Sequence, residues 1–121
     1  GGVLGLAHID PAQERVQFVG IGNIEGRIFF PDRAVSLTSQ NGTVGVDMHP
    51  PAARILVRPW GPRATMILHS DGVRLKVDPA ERPELFRHDP AIIAAVALRD
   101  GFRGTDDATV VVVKDAREAA P

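Results

Sequence analysis

Two stretches decide the fold: ATMILHSDG at residues 64–72 and TDDATVVVV at residues 105–113. The first is rich in apolar and β-branched residues up to position 68, which predicts a strand over residues 64–68. The second ends in four consecutive valines and predicts a strand over residues 109–113. Because this last strand is apolar on both faces, we expect it in the middle of a sheet rather than at an edge.

Aspartates flank both predicted strands. Asp71 follows the first strand, and Asp106 and Asp107 precede the second. If the two strands pair antiparallel, the end of one lies beside the start of the other, and these carboxylates meet at one end of the sheet. Carboxylates crowded in this way repel one another unless a cation neutralises them, and oxygen ligands suit Mg²⁺ or Mn²⁺. Gly72 would allow the backbone to approach closely there.

Each of these features also has a plainer interpretation. Asp-Gly is a common turn dipeptide and an aspartate before a strand often caps a loop, so spacing alone leaves a structural turn open for Asp71 and Asp106. His69 either lines the site or is a structural histidine. The stretch GIGNIEG at residues 20–26 lacks the Gly-x-Gly-x-x-Gly spacing and precedes a strand, so it predicts a turn or bulge rather than a nucleotide-binding loop.

The remaining pattern predicts an α+β fold, with strands first, helices after residue 78 and one final strand. Alternating or apolar runs predict further strands at residues 3–9, 15–19, 27–30, 34–37 and 54–57. Asn-, Gly- and Pro-rich stretches at residues 39–45 and 50–51 predict loops.

Two helix starts follow. Asp78, with proline next and Glu81 three positions on, resembles a capping box, and Pro83 keeps that helix short or displaces its start. A better helix begins at Pro90 and ends near Gly101. Its apolar face is expected to contain Ile92, Ile93, Val96 and Ala97.

The composition excludes several classes of protein. The chain has 121 residues, which suits one small domain or part of a larger one. Fourteen basic residues balance fifteen acidic ones, so there is no electrostatic footprint for nucleic acid. The absence of cysteine excludes disulfides and thiol catalysis and suits a reducing cytoplasm. No apolar run approaches the roughly 18 residues that span a membrane.

The motifs together resemble a known family. Ser70-Asp71-Gly72, followed by Asp106-Asp107-Ala108-Thr109 and a valine strand, resembles the C-terminal motif pair of the metal-dependent (2C-like, PPM-type) protein serine/threonine phosphatases. The closer similarity is to the bacterial stage II sporulation protein E-like branch, and within it to the small regulators of the sigma-B stress pathway. The stretches GIGN at 20–23, SQNGTVG at 39–45 and PAIIAAV at 90–96 occur in the order that this branch shows. The resemblance covers residues 1–114 and leaves 115–121 as a frayed tail.

The resemblance implies part of a two-layer antiparallel β-sandwich flanked by helices, with two Mn²⁺ or Mg²⁺ ions at one end. It implies hydrolysis of phosphoserine or phosphothreonine by a metal-bound water, on a partner-switching protein that regulates a sigma factor in the cytoplasm. Carried over by motif, Asp71 and Asp106 would be metal ligands. Asp107 and Gly72 would support them. Gly22 and Asn23 would form a turn that faces the site.

One element of the family pattern is missing. The family requires an Asp-Gly motif in its N-terminal half, whose aspartate bridges both metals, and that half would precede Gly1. Asp10, Asp32 and Asp47 are not followed by glycine, and Asp100-Gly101 is interpreted as a helix end. We therefore expect the isolated chain to be inactive, and exposed sheet edges to favour a homodimer. Two other functions stay open: a metal-free pseudophosphatase or interaction module that binds a regulatory protein, and an unrelated β-rich binding domain.

Overall fold

A computed structural model describes residues 2–42, 45, 54–105 and 107–117 of the chain. Seven strands, one α-helix and a short 3-10 helix at Leu85–Arg87 form this part. The strands are β1 Leu4–Asp10, β2 Arg15–Ile21, β3 Ile24–Phe30, β4 Arg33–Leu37, β5 Leu56–Pro59, β6 Thr65–Ser70 and β7 Val110–Lys114. Helix α1 spans Pro90–Gly101. No helix in these residues is long and apolar enough to cross a bilayer.

The strands form two antiparallel sheets. One has the order β1-β2-β5 and the other the order β4-β3-β6-β7. The chain passes from the first sheet to the second at Gly22 and Asn23, between β2 and β3. The predicted turn at this position is therefore confirmed. The described chain is thus a small mixed α/β domain in which strands dominate.

Two apolar clusters fix the layers. Alternate residues of β2 (Val16 and Phe18) and of β3 (Ile28 and Phe30) point toward each other and join Met66 of β6 in a core between the two sheets. A second core lies on the other face of the larger sheet, where α1 covers it. Its members include Phe29, Ile67, Val77, Leu85, Ile93 and Ala97. Successive side chains along a strand of the larger sheet therefore point to opposite faces and contact two different layers.

The helix predictions need two corrections. Ile93 and Ala97 are buried as expected, but Ile92 is 45% exposed, because only part of the predicted apolar face reaches the sheet. The Asp78 box forms a turn instead of a helix. Its carboxylate accepts from the Ala80 N–H at 2.8 Å, and the next helical residues begin only at Leu85. Pro83, which has no N–H to donate, accounts for this displacement.

Three strand predictions also change. Strand β7 is the last strand of its sheet in the described chain, not a central one. Both faces of β7 carry valines because one face packs near α1 and the other packs against the core between the sheets. The apolar run at residues 3–9 predicts a buried strand, but β1 is an edge strand and its Leu6 is 63% exposed. Strand β5 is shifted two residues along, to Leu56–Pro59, at an edge where a proline is tolerated.

Residues after β7 continue the contact with the segment that leads into β6. The backbone N–H of Asp115 donates to Ala64 O at 2.9 Å, and the Arg117 guanidinium bonds the Asp115 carboxylate. Arg117 thereby holds the pKa of Asp115 below its usual range. Residues 115–117 are placed by these contacts, whereas 118–121 lie outside the described residues. The division between a half domain at 1–114 and a tail at 115–121 stays a prediction.

Candidate functional site

Strands β6 and β7 pair antiparallel, as the sequence interpretation required. The register runs from Thr65 opposite Lys114 to His69 opposite Val110. Beyond it, the Ser70 N–H donates to Thr109 O at 3.0 Å, and the Thr109 N–H donates to Ser70 Oγ at 2.9 Å. The end of β6 and the start of β7 are therefore fixed side by side.

Gly72, two residues after the end of β6, allows the loop before β7 to approach the turn after β6 closely. A Cβ at Gly72 would overlap the carbonyl oxygen of Asp107, and Ser70 Oγ lies 3.5 Å from the same oxygen. The backbone of Asp107 therefore rests directly on the turn that contains Asp71. This contact requires glycine at position 72 for steric reasons.

The predicted ligands are only partly visible in this arrangement. Asp71 is exposed at the end of β6, and Asp107 lies on the adjoining loop. Asp106, the second predicted ligand, lies outside the described residues. The metal-binding roles of Asp71 and Asp106 and the supporting role of Asp107 stay predictions.

A cavity of about 500 Å³ opens at this end of the larger sheet. Its lining includes Gly22, Asn23, Glu25, Arg27, His69, Asp71 and Arg103. A larger cavity of about 960 Å³ lies at the other end, where β6 begins and β7 ends, and its described lining includes Phe86 and Lys114 but not Asp71. The smaller cavity is the candidate site because it contains Asp71.

The Gly22-Asn23 turn forms one wall of the candidate cavity. Gly22 has a φ of +91°, a conformation that favours glycine, and its N–H donates to Gln40 O at 2.8 Å. Ser39 Oγ donates to the Gly22 carbonyl oxygen. The turn is therefore held to the loop after β4 and lines the candidate cavity, and its supporting role at a metal site stays a prediction.

His69 combines the two interpretations left open by the sequence. Its residue exposure is 8%, and Nδ1 lies 3.1 Å from the carbonyl oxygen of Ser70. It also belongs to the lining of the candidate cavity. His69 is thus packed in the sheet and positioned at the site, but it has no group of metal ligands around it in the described chain.

Two arginines of the site were missed by sequence reasoning. Arg27 lies on β3, and Arg103 lies two residues after the end of α1. The backbone N–H of Arg103 donates to Gly72 O at 3.0 Å, which places Arg103 beside the Asp71 turn. No sequence motif marks either residue.

Asp100 belongs to a different environment, although Asp100-Gly101 is an Asp-Gly pair. Arg99 Nε donates to its Oδ1 at 2.8 Å and Arg82 Nη1 donates to its Oδ2 at 3.1 Å. Arg99 holds the pKa of Asp100 below its usual range. Gly101 ends α1 against the carbonyl oxygen of Arg74, so this pair is a helix end, as expected.

The donor chemistry suits a hard cation, but the donor number is small. Asp71 offers carboxylate oxygens of the kind that Mg²⁺ and Mn²⁺ prefer. Among residues 2–42, 45, 54–105 and 107–117, no three His, Cys, Asp or Glu side chains come together as a metal site. The described residues therefore fit part of a metal centre and do not complete one.

Comparisons with known proteins agree on the fold. No family model and no curated protein sequence matches the chain. A solved structure described as the bacterial stressosome, a modular system adapted to control secondary messenger signalling, matches 91% of the chain with a TM-score of 0.76 and 22% identity. The phosphatase domain of the cell fate determinant SpoIIE from Bacillus subtilis matches 98% of the chain in two structures, with TM-scores of 0.65 (manganese-presoaked) and 0.67, both at 21% identity.

The chain spans only part of each matched structure. It covers 57% of the stressosome chain and 58% and 57% of the two SpoIIE phosphatase chains. At these identities the similarity establishes a shared fold. Activity, substrate and partners do not follow from the match itself.

Proposed function

We propose that this chain is the C-terminal part of a metal-dependent, PPM-type protein serine/threonine phosphatase of the stage II sporulation protein E-like branch. The observation that carries the proposal is the contact between the Asp107 backbone and Gly72, the residue that follows Asp71 in the lining of the candidate cavity. This contact supports a shared site for the two halves of the predicted motif pair. The structural similarity to the SpoIIE phosphatase domain supports the same function.

Each site residue has a distinct role in this proposal. Asp71 and Asp106 bind Mn²⁺ or Mg²⁺ through their carboxylates, and Asp107 supports the loop that carries the second ligand. Gly72 allows the two loops to touch, and the Gly22-Asn23 turn closes the facing wall. The bound ions would supply an acidified water for attack on phosphorus and would stabilise the developing charge.

In this proposal a further segment completes the set of metal ligands. The described residues assemble fewer than three metal-ligating side chains at any point, and the chain spans less than two thirds of the matched phosphatase structures. The bridging Asp-Gly ligand of the family is accordingly supplied by an N-terminal half, and the 121-residue chain alone is inactive. The substrate is a phosphorylated cytoplasmic regulatory protein of a bacterial stress or sigma-factor pathway.

A second function has an observation in its favour. The incomplete donor set of the described residues also suits a pseudophosphatase, an interaction module that uses this fold to bind a regulatory protein. The similarity to a stressosome structure is compatible with that role. The two functions differ in whether Asp71 is needed for hydrolysis.

The first prediction concerns hydrolysis by the intact protein. With Mn²⁺ and p-nitrophenyl phosphate or a phosphoserine peptide, Asp71→Asn and Asp106→Asn should each lower kcat by orders of magnitude, because each removes a ligand charge. Asp32→Asn is the matched control, since Asp32 is 75% exposed in the turn between β3 and β4. An inactive wild type supports the interaction module, and full activity in both site variants overturns the metal assignment.

A further inference from the structure

Two arginines from different elements reach the candidate cavity. Arg27 comes from β3, in the middle of the larger sheet, and Arg103 comes from the loop between α1 and β7. Both are exposed, and both line the same cavity of about 500 Å³ that contains Asp71. The two arginines therefore share one cavity with the predicted metal ligand Asp71 and with the carboxylate of Glu25.

The position of Arg103 is fixed by the backbone. The Arg74 N–H donates to Gly101 O at 2.8 Å, the Arg103 N–H donates to Gly72 O at 3.0 Å, and Val73 forms a β-bridge with Phe102. The segment after α1 is thus held antiparallel to the segment after Asp71. Arg103 starts from a rigid point next to the predicted ligand turn.

The guanidinium groups at the cavity have no partner in the described chain. The ion pairs of the described chain involve other arginines, namely Arg33, Arg82, Arg99 and Arg117. Neither Arg27 nor Arg103 makes a side-chain hydrogen bond or ion pair with the described residues. An unpaired arginine on a surface is ordinarily just solvated. Arg27 and Arg103 differ from such residues because they line one cavity and because the backbone of Arg103 is held by hydrogen bonds. Arg74 provides the contrast, since it is exposed on the same paired segment but does not line the cavity.

We propose that Arg103, assisted by Arg27, binds the phosphoryl group of a phosphate monoester in this cavity. The inference rests on the proposed function and adds the residues that recognise the substrate. A planar guanidinium donates to two phosphoryl oxygens at once and is always charged, which matches a phosphate dianion better than an ammonium does. No bond forms or breaks at the arginine. It holds the phosphate while the chemistry occurs beside Asp71.

The test measures ligand binding in the intact protein, so that it does not depend on turnover. Isothermal titration calorimetry with O-phosphoserine, with and without Mg²⁺, is run on wild type, Arg103→Gln, Arg27→Gln and the control Arg74→Gln. We expect Arg103→Gln to weaken O-phosphoserine binding about tenfold or more, Arg27→Gln to weaken it less, and Arg74→Gln to leave it unchanged. Equal affinity in Arg103→Gln and Arg74→Gln, or no binding by the wild type in either buffer, overturns the inference.

A separate titration keeps the two proposals apart. Free Mn²⁺ is followed by electron paramagnetic resonance in the wild type, Arg103→Gln and Asp71→Asn. Loss of Mn²⁺ binding in Asp71→Asn, with normal binding in Arg103→Gln, supports the metal site and shows that the arginine acts on phosphate alone. Mn²⁺ binding that is equal in wild type and Asp71→Asn overturns the proposed metal site, whereas the O-phosphoserine titration still decides the role of Arg103.

Discussion

Gly72 connects the local sequence to the geometry of the site. Any side chain at this position would meet the backbone of Asp107, and backbone cannot move aside as a flexible side chain can. The Ser-Asp-Gly turn and the loop before β7 therefore fit together only with glycine between them. Because Gly72 is not among the glycines with a positive φ, the need for glycine here comes from packing and not from turn geometry.

Gly72→Ala should destabilise the protein by about 1–3 kcal/mol, because the added methyl group forces the two loops apart. Urea unfolding measures the change in the free energy of unfolding. The dependence of that free energy on urea concentration, the m value, should be the same in wild type and variant if both unfold by the same reaction. Gly61→Ala is the matched control: Gly61 is also buried, but a Cβ there meets only Glu14 Oε2 at 4.0 Å. Equal midpoints for the two variants would contradict the close contact at Gly72.

The sequence predicted some of these residues and not others for a physical reason. The carboxylates were predicted to meet because antiparallel pairing follows from two strong strand patterns, and β6 and β7 do pair in this way. Arg103 was not predicted, because it reaches the site through backbone hydrogen bonds between the segments after Asp71 and after α1. Such bonds use groups that every residue type carries, so they leave no mark in the sequence.

Strand β7 shows what an apolar run does and does not specify. The four valines correctly predicted a strand, but the prediction that this strand lies in the middle of the sheet was wrong. A strand is apolar on both faces whenever other layers pack on both faces, even if it has a neighbouring strand on one side alone. In the described chain β7 has β6 on one side, and Val111 is 48% exposed. An unpaired strand edge with apolar side chains favours pairing with another chain.

We accordingly propose that the isolated 121-residue chain forms a homodimer through its exposed sheet edges. Size-exclusion chromatography with light scattering should show a dimer that increases with concentration, and Val111→Lys should reduce it by placing a charge on the β7 edge. Ile92→Lys is the control, since Ile92 is similarly exposed but lies on α1. A clean monomer at high concentration would contradict the dimer, and equal loss in both variants would exclude the β7 edge.

For the whole molecule, the sequence predicted the order of elements better than their arrangement. Strands, helix and final strand follow one another as expected, but the division into a three-stranded and a four-stranded sheet did not follow from local patterns. That division occurs at Gly22 and Asn23, which look like an ordinary hairpin turn in the sequence. It depends on Val16, Phe18 and Ile28 packing across the two sheets, which is a long-range effect.

The same long-range contacts give the candidate site its walls. Residues from β3, from the corner after β2, from the end of β6 and from the loop after α1 surround one cavity. The matched phosphatase structures extend well beyond the length of this chain, which is why we propose that a further segment completes the metal centre. The central claim is that Asp71 and Asp106 bind metal at this cavity.

Crystals of the intact protein soaked in Mn²⁺ and measured at the manganese absorption edge would locate the ions directly. We expect an anomalous peak at direct coordination distance, about 2.1 Å, from carboxylate oxygens of Asp71 and Asp106, and its loss in Asp71→Asn crystals. Ordered Asp71 and Asp106 side chains with no peak between them, or a peak bound only to other residues, would contradict the account.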